Sequence, residues 1–192
     1  MRVIAGKAKG RRLKSVRGPG TRPVTARAKT AFFDILQQSV VNAHFLDLFA
    51  GTGQVGIEAL SRGAARVVFV EKGRTPLRAI RENLEITELE ENAEVVRADV
   101  FDFLKRRPEP FHYVYVAPPQ YRGLWHQTLL FIDHNPGWLT DDGWVAVQIH
   151  PTEFDEIALE NLVLFDQRKY GSVMYCFYRL RALEEGQDEA QL

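Results

Sequence analysis

From Phe45 to Ile149 short apolar runs alternate with segments whose apolar residues recur at helical spacing. Few folds accept that pattern other than a mostly parallel sheet with helices on both faces. The runs at 45–48, 67–70, 93–97, 113–116 and 144–149 read as strands. Helices are expected at 26–38, 54–62, 75–87, a short stretch ending near Arg107, and 124–133. Gly63 stops the second helix and Pro118-Pro119 closes the fourth strand. Beyond Ile149 the alternation breaks, and 162–165 and 173–178, with Gly171 between them, read as an antiparallel pair. The sequence therefore predicts an α/β fold, mostly parallel, ending in an antiparallel hairpin.

A chain of 192 residues with 45% hydrophobic content suits one globular domain, which buries roughly 70% of the surface its unfolded chain exposes. No apolar run is long enough to cross a bilayer, and no secretory signal follows the basic start, so a cytoplasmic protein is expected. A single Cys176 excludes a disulfide framework and a multi-cysteine metal site. The net charge of zero hides an asymmetry. Residues 1–33 hold ten Lys or Arg and no acid, leaving 15 bases against 25 acids, a net charge of −10, from Asp34 onward. A basic arm on an acidic body calls for a polyanionic partner. Within the arm, Arg2-Val3-Ile4-Ala5-Gly6 and Arg12-Leu13-Lys14-Ser15-Val16 flank Lys7-Ala8-Lys9-Gly10, which reads as a small β-hairpin presenting Arg2, Lys7, Lys9, Arg11 and Arg12 to phosphates. The expected division is a basic arm at 1–25, the main domain at 26–180 and a disordered acidic tail at 181–192.

In such sheets ligands bind beyond the carboxyl ends of the strands, where strand order reverses. The loop there is Asp47-Leu48-Phe49-Ala50-Gly51-Thr52-Gly53-Gln54-Val55-Gly56. Gly51 and Gly53 permit close backbone approach to a ligand, and Gly56 permits tight helix packing. Glu71, at the end of the next strand and 18 residues after Gly53, is placed to accept both hydroxyls of a ribose. Asp47 would repel a pyrophosphate but suits a cofactor with a cationic amino-acid end. Asp99 adds a third carboxylate, read either as an acceptor for an adenine amine or as a helix N-cap. Three acids without a phosphate clamp favour S-adenosylmethionine over NAD.

In order along the chain come the basic hairpin, Arg22-Pro23-Val24-Thr25-Ala26-Arg27, Asp47-Leu48-Phe49-Ala50-Gly51-Thr52-Gly53, Ser61-Arg62-Gly63-Ala64, Phe69-Val70-Glu71-Lys72 and a Pro-Pro motif. Over residues 1–180 this resembles the bacterial RsmD-like methyltransferases, which modify the exocyclic amine of a guanine in 16S ribosomal RNA. The resemblance implies a Rossmann-like class I methyltransferase sheet with S-adenosylmethionine as methyl donor. It places the cofactor site at Asp47, Phe49, Ala50, Gly51, Thr52, Gly53, Glu71, Lys72, Asp99 and Val100. It adds Arg22, Thr25 and Arg27 to the RNA-binding residues, and implies a partly assembled small ribosomal subunit as substrate; the oligomeric state expected is a monomer. Such amine methyltransferases carry an Asp/Asn-Pro-Pro-aromatic tetrapeptide after strand four, whose side chain and first prolyl carbonyl accept from the amine while the ring stacks on the extruded base.

The chain departs from that pattern, reading Ala117-Pro118-Pro119-Gln120-Tyr121. Ala117 cannot accept a hydrogen bond, and losing one preorganised acceptor costs roughly 100- to 1000-fold in rate. Either backbone carbonyls, Gln120 and Tyr121 form an altered working site, or the chain binds RNA as a non-catalytic assembly factor. An NAD-dependent oxidoreductase stays open on the glycine loop alone, but leaves the basic arm unexplained. Ala26 and Thr30 stand where the family has acids, with Arg27 and Lys29 expected to face RNA. The five histidines lack metal-ligand spacing, so no metal is expected. Cys176 and the three tryptophans are expected in the core, with Trp125 near enough to Tyr121 to line a base pocket.

Overall fold

A computed structural model of the chain describes residues 1–16 and 25–182. Seven strands form one sheet in the order β3-β2-β1-β4-β5-β7-β6. They are β1 (His44–Leu48), β2 (Arg66–Glu71), β3 (Ala93–Arg97), β4 (Phe111–Val116), β5 (Leu139–Ile149), β6 (Leu162–Tyr170) and β7 (Val173–Leu180). The first five are parallel, and β7 pairs antiparallel with both β5 and β6. Helices α1 (Ala26–Leu36), α2 (Gln54–Ser61) and α3 (Arg74–Thr87) cover one face, and α4 (Val100–Leu104) and α5 (Leu124–His134) cover the other. Because β1 lies between β2 and β4, strand order reverses beside its carboxyl end, which is where such a sheet opens a crevice.

Local sequence explains the packing. On α3, Leu77, Ile80, Leu84 and Thr87 fall on one stripe and are buried, while Arg78, Arg81 and Glu85 face water. A Cβ on Gly56 would sit 2.3 Å from the Phe69 ring, so α2 packs on β2 at a distance only glycine allows. The face under α1 and α2 is aromatic, with the Phe32 ring in contact with those of Phe45, Tyr115 and Tyr175. Trp138, Phe103 and Phe111 fill the opposite face.

The structure extends β5 back to Leu139, where the sequence indicates only 144–149; the added stretch 140–143 lies opposite an irregularity between Phe111 and Tyr113 of β4. It likewise extends β6 through Asp166 to Tyr170, because an edge strand carries polar residues on its solvent side. Helix α1 ends at Leu36, ahead of Gln37 at φ +47°, and α4 ends at Leu104.

The arm is not a solvated extension. Its turn is closed by Val3 N–H to Arg11 O, Gly10 N–H to Val3 O and Leu13 N–H to Met1 O, with one antiparallel bridge at Arg2 and Arg12 rather than two full strands. Val3, Ala8 and Leu13 are buried in the same cluster as Phe32 and Phe69. The carboxylate of Glu58 accepts the N–H groups of Ile4 and Ala5, both at 2.9 Å, and pairs with Lys29 and Arg62. Lys29 is 2% exposed, so the expectation that it faces RNA is corrected: it anchors the arm to α1 and α2. The loop at 18–23, with Arg22, and the tail from residue 183 lie outside the described residues.

Candidate active site

A cavity of about 710 Å³ opens along the carboxyl ends of β1, β2, β3 and β4. Its floor is the loop between β1 and α2, where Phe49, Gly51 and Gly53 hold φ of +61°, +57° and +75°. A phenylalanine in the left-handed region is strained, and strain of this kind gathers at binding sites. Ala50 N–H to Val70 O and Gly53 N–H to Ala50 O fix the turn. Phe49, Ala50, Gly51 and Thr52 line the cavity, whereas Gly53 supports from behind as the N-cap of α2.

Three carboxylates close the rim on successive strands. Glu71 accepts Gly51 N–H at 2.9 Å on one oxygen and Gly73 N–H at 2.7 Å on the other, joining the glycine loop to the start of α3. Each oxygen keeps a lone pair for a ligand hydroxyl. Asp47 is buried and accepts Gly56 N–H at 3.1 Å. Burial pushes its carboxyl up to about 7; the Gly56 N–H opposes that shift and the Glu71 charge adds to it. Asp99 caps α4 through Phe101 N–H at 3.0 Å and turns its other oxygen to Lys72 at 3.3 Å. Asp99 is thus an N-cap that also lines the cavity. Val100, Pro76 and Ala98 supply apolar wall.

This donor set fits S-adenosylmethionine: a carboxylate for an ammonium, acceptors for a ribose diol and an adenine amine, and apolar surface between them. It fits NAD poorly. The carboxylate of Asp47 already occupies the Gly56 N–H in the first turn of α2, the place where a pyrophosphate would dock.

Ala117, Pro118, Pro119, Gln120 and Tyr121 line the same cavity. Tyr121 is 68% exposed at its mouth, with φ +59°, and its N–H donates to Glu153 at 2.6 Å. Trp125 is corrected: it is 2% exposed, lies on the far face against Phe154, and does not reach the cavity. Gln148 at the end of β5, Tyr115 of β4 and Ser172 of the β6–β7 turn also line it and went unread in the sequence. A polar residue ending an apolar strand, the signal that singles out Asp47, would have found Gln148.

The arm borders the site, since Met1, Ser15, Val16 and Thr25 line the cavity. Arg2, Lys7, Lys9, Arg12 and Arg27 are exposed. Arg11 is instead engaged by Glu88 at 2.9 Å and by the carbonyl of Ile86. Thr25 caps α1 by accepting Ala28 N–H. No described helix is long and apolar enough to cross a membrane.

A family model described as conserved hypothetical protein 95 matches residues 1–179. The ribosomal RNA small subunit methyltransferase D of Escherichia coli K12 is 34% identical over 190 residues, covering 99% of this chain and 94% of its own. That of Haemophilus influenzae is 34% identical over 184 residues, covering 93% of each. The chain belongs to the RsmD-like methyltransferases. Among solved structures, yhhF of Escherichia coli superimposes with a TM-score of 0.83 at 33% identity, covering 95% of this chain and 99% of that one. The seven-stranded sheet with one antiparallel hairpin at its end is thus the class I methyltransferase fold of an RsmD-like chain.

Proposed function

We propose that the chain methylates the exocyclic N2 amine of a guanine in 16S ribosomal RNA, within a small subunit or its assembly intermediate, using S-adenosylmethionine. The observation that carries this is a single cavity holding both the three-carboxylate rim and the Pro118-Pro119-Gln120-Tyr121 turn, bordered at Met1, Ser15 and Val16 by an arm whose Arg2, Lys7, Lys9 and Arg12 are exposed. The name of the Escherichia coli relative supports the RNA substrate.

S-adenosylmethionine supplies an electrophilic methyl group. Asp47 would hold its ammonium, Glu71 its ribose hydroxyls and Asp99 its adenine amine, with Phe49, Lys72 and Val100 around them. On the substrate side, the amine lone pair is delocalised into guanine, so the site must hold the amine hydrogens until the nitrogen pyramidalises. The Pro118 carbonyl is one acceptor. The exposed ring of Tyr121 stacks on the extruded base, and stacking of this kind returns about 1–3 kcal/mol against the cost of extrusion. Arg2, Lys7, Lys9, Arg12, Arg27 and Arg22 neutralise phosphates.

Ala117 favours a second reading, an RNA-binding assembly factor without catalysis. Transfer of labelled methyl to small subunits from a strain lacking the modification, followed by nucleoside analysis, separates the two. N2-methylguanosine is the expected product. Cofactor binding without transfer would favour the second reading, and another methylated nucleoside would overturn the amine assignment.

A further inference from the structure

The turn on the substrate side of the cavity has few means of holding its shape. β4 and β5 pair as far as Val116 and Val147, so the chain leaving β4 as 117–121 runs beside the chain leaving β5 as 148–153. Pro118 and Pro119 offer no N–H. Tyr121 stands at φ +59°, a conformation that a residue with a Cβ keeps only where its surroundings impose it. Among the described residues, one hydrogen bond joins 118–122 to another part of the chain: Tyr121 N–H donates to the Glu153 carboxylate at 2.6 Å.

Glu153 is itself held in place. Its second oxygen accepts His150 N–H at 3.2 Å, and His150 accepts Thr152 N–H on Nδ1, a reciprocal cap that fixes the carboxylate to the end of β5. The His150 ring lies 6.0 Å from that of Tyr121. One carboxylate thus spans both chain exits with a backbone N–H on each oxygen, and a group that only accepts suits two donors. Glu153 is half-buried and does not line the cavity, whereas Tyr121 does.

We propose that Glu153 is a positioning residue for methyl transfer, its carboxylate holding Tyr121 where the ring receives the extruded base. This rests on the stacking role given to Tyr121 above. Glu153 touches neither cofactor nor base and acts through the Tyr121 backbone. Freed of that bond, Tyr121 relaxes out of the left-handed region and rotation about φ carries its ring off the cavity mouth. The base then loses its platform and the amine its alignment.

The test measures transfer to small subunits by wild type, Glu153→Ala, Glu153→Gln, Tyr121→Ala and the double variant Glu153→Ala/Tyr121→Ala. Glu153→Ala should lose about 30- to 100-fold in kcat/KM for subunits, the cost of a small misplacement near the reacting groups. Its S-adenosylmethionine affinity should be unchanged, and its Tm should fall by no more than about 2–4 °C, as for one lost cap. Glu153→Gln should stay within about fivefold of wild type, because an amide oxygen still accepts Tyr121 N–H. In the Tyr121→Ala background Glu153→Ala should cost no more than about twofold, because the ring it positions is gone. A Glu153→Ala variant at wild-type rate, a loss that Gln does not spare, or one undiminished in the Tyr121→Ala background would overturn the assignment while leaving the N2 reading intact. A wild-type rate in Tyr121→Ala would remove the stacking role and the assignment with it. No methyl transfer by wild type would overturn both the assignment and the N2 reading.

Discussion

Asp47 lies buried at the end of β1 with one N–H from Gly56, and it keeps its proton up to about pH 7. An aspartate in an unfolded chain has a pKa near 3.8. Between those values the folded chain holds a proton that the unfolded chain has released, so stability at this position falls as pH rises through that window. Asp47→Asn removes the dependence, and the variant should gain on wild type from pH 4 to 7 in denaturant unfolding. A cation bound beside Asp47 lowers its pKa, so S-adenosylmethionine binding should release up to about one proton at pH 6 and almost none at pH 8. Calorimetry in two buffers of different ionisation enthalpy reads that number, and no release at pH 6 would detach Asp47 from the ligand. Glu71→Ala should weaken cofactor binding by at least about tenfold, since it removes both the ribose acceptor and the partner of Gly51 and Gly73 N–H; unchanged affinity in a titration would remove the ribose assignment. The acids of this rim were legible because a carboxylate ending an apolar strand has few other uses. The buried partners of the rim were not, since the contact between Gly56 N–H and Asp47 depends on how α2 enters the crevice.

At the scale of elements, periodicity locates all seven strands and five helices but not their ends, because β5 starts at Leu139 with the polar stretch 140–143 inside it and β6 continues on a solvated edge. The arm shows the limit most clearly. Its hairpin was legible in alternation and glycine, but its docking was not, because the acid that holds it, Glu58, lies 53 residues beyond Ala5. Docking sorts the cations into two groups. Arg2, Lys7, Lys9 and Arg12 are exposed, while Arg11 and Lys29 are engaged by Glu88 and Glu58. Charge reversal at Lys7, Lys9 and Arg12 should weaken binding to small subunits and reduce the slope of log K against log salt by about 2–3, at roughly 0.7–0.9 for each phosphate that is no longer neutralised. Filter binding between 50 and 200 mM salt measures it, and a wild-type slope would sink the arm's role in RNA binding. Glu58→Gln acts on the element instead: it leaves Lys29 buried without its carboxylate, a destabilisation of about 3–5 kcal/mol, and should lower Tm steeply whether or not RNA is present.

Across the whole molecule, arm and cofactor loop meet in one side chain. Asn83 on α3 is fully buried; its oxygen accepts Lys14 N–H at 2.7 Å, and its nitrogen donates to Lys14 O at 3.1 Å and to Thr52 O at 3.0 Å. Lys14 belongs to the second half of the arm and Thr52 to the strained glycine loop, so order imposed on either is shared through a carboxamide that satisfies both. Nothing in the sequence marks Asn83, which sits on the buried stripe of α3 where an apolar residue is the usual choice. If RNA holds the arm, the loop pays less ordering entropy when cofactor binds, and by linkage cofactor must tighten RNA by the same factor. Small subunits at saturation should therefore raise affinity for S-adenosylmethionine about fivefold or more, the low end of coupling free energies of about 1–3 kcal/mol. Asn83→Ala leaves Lys14 N–H and Thr52 O without that partner, which costs about 1–3 kcal/mol per group left unsatisfied, and it should bring the ratio close to one. Four titrations close the cycle: wild type and variant, each with and without subunits. Equal ratios in the two proteins would show that arm and loop act independently, each on its own ligand.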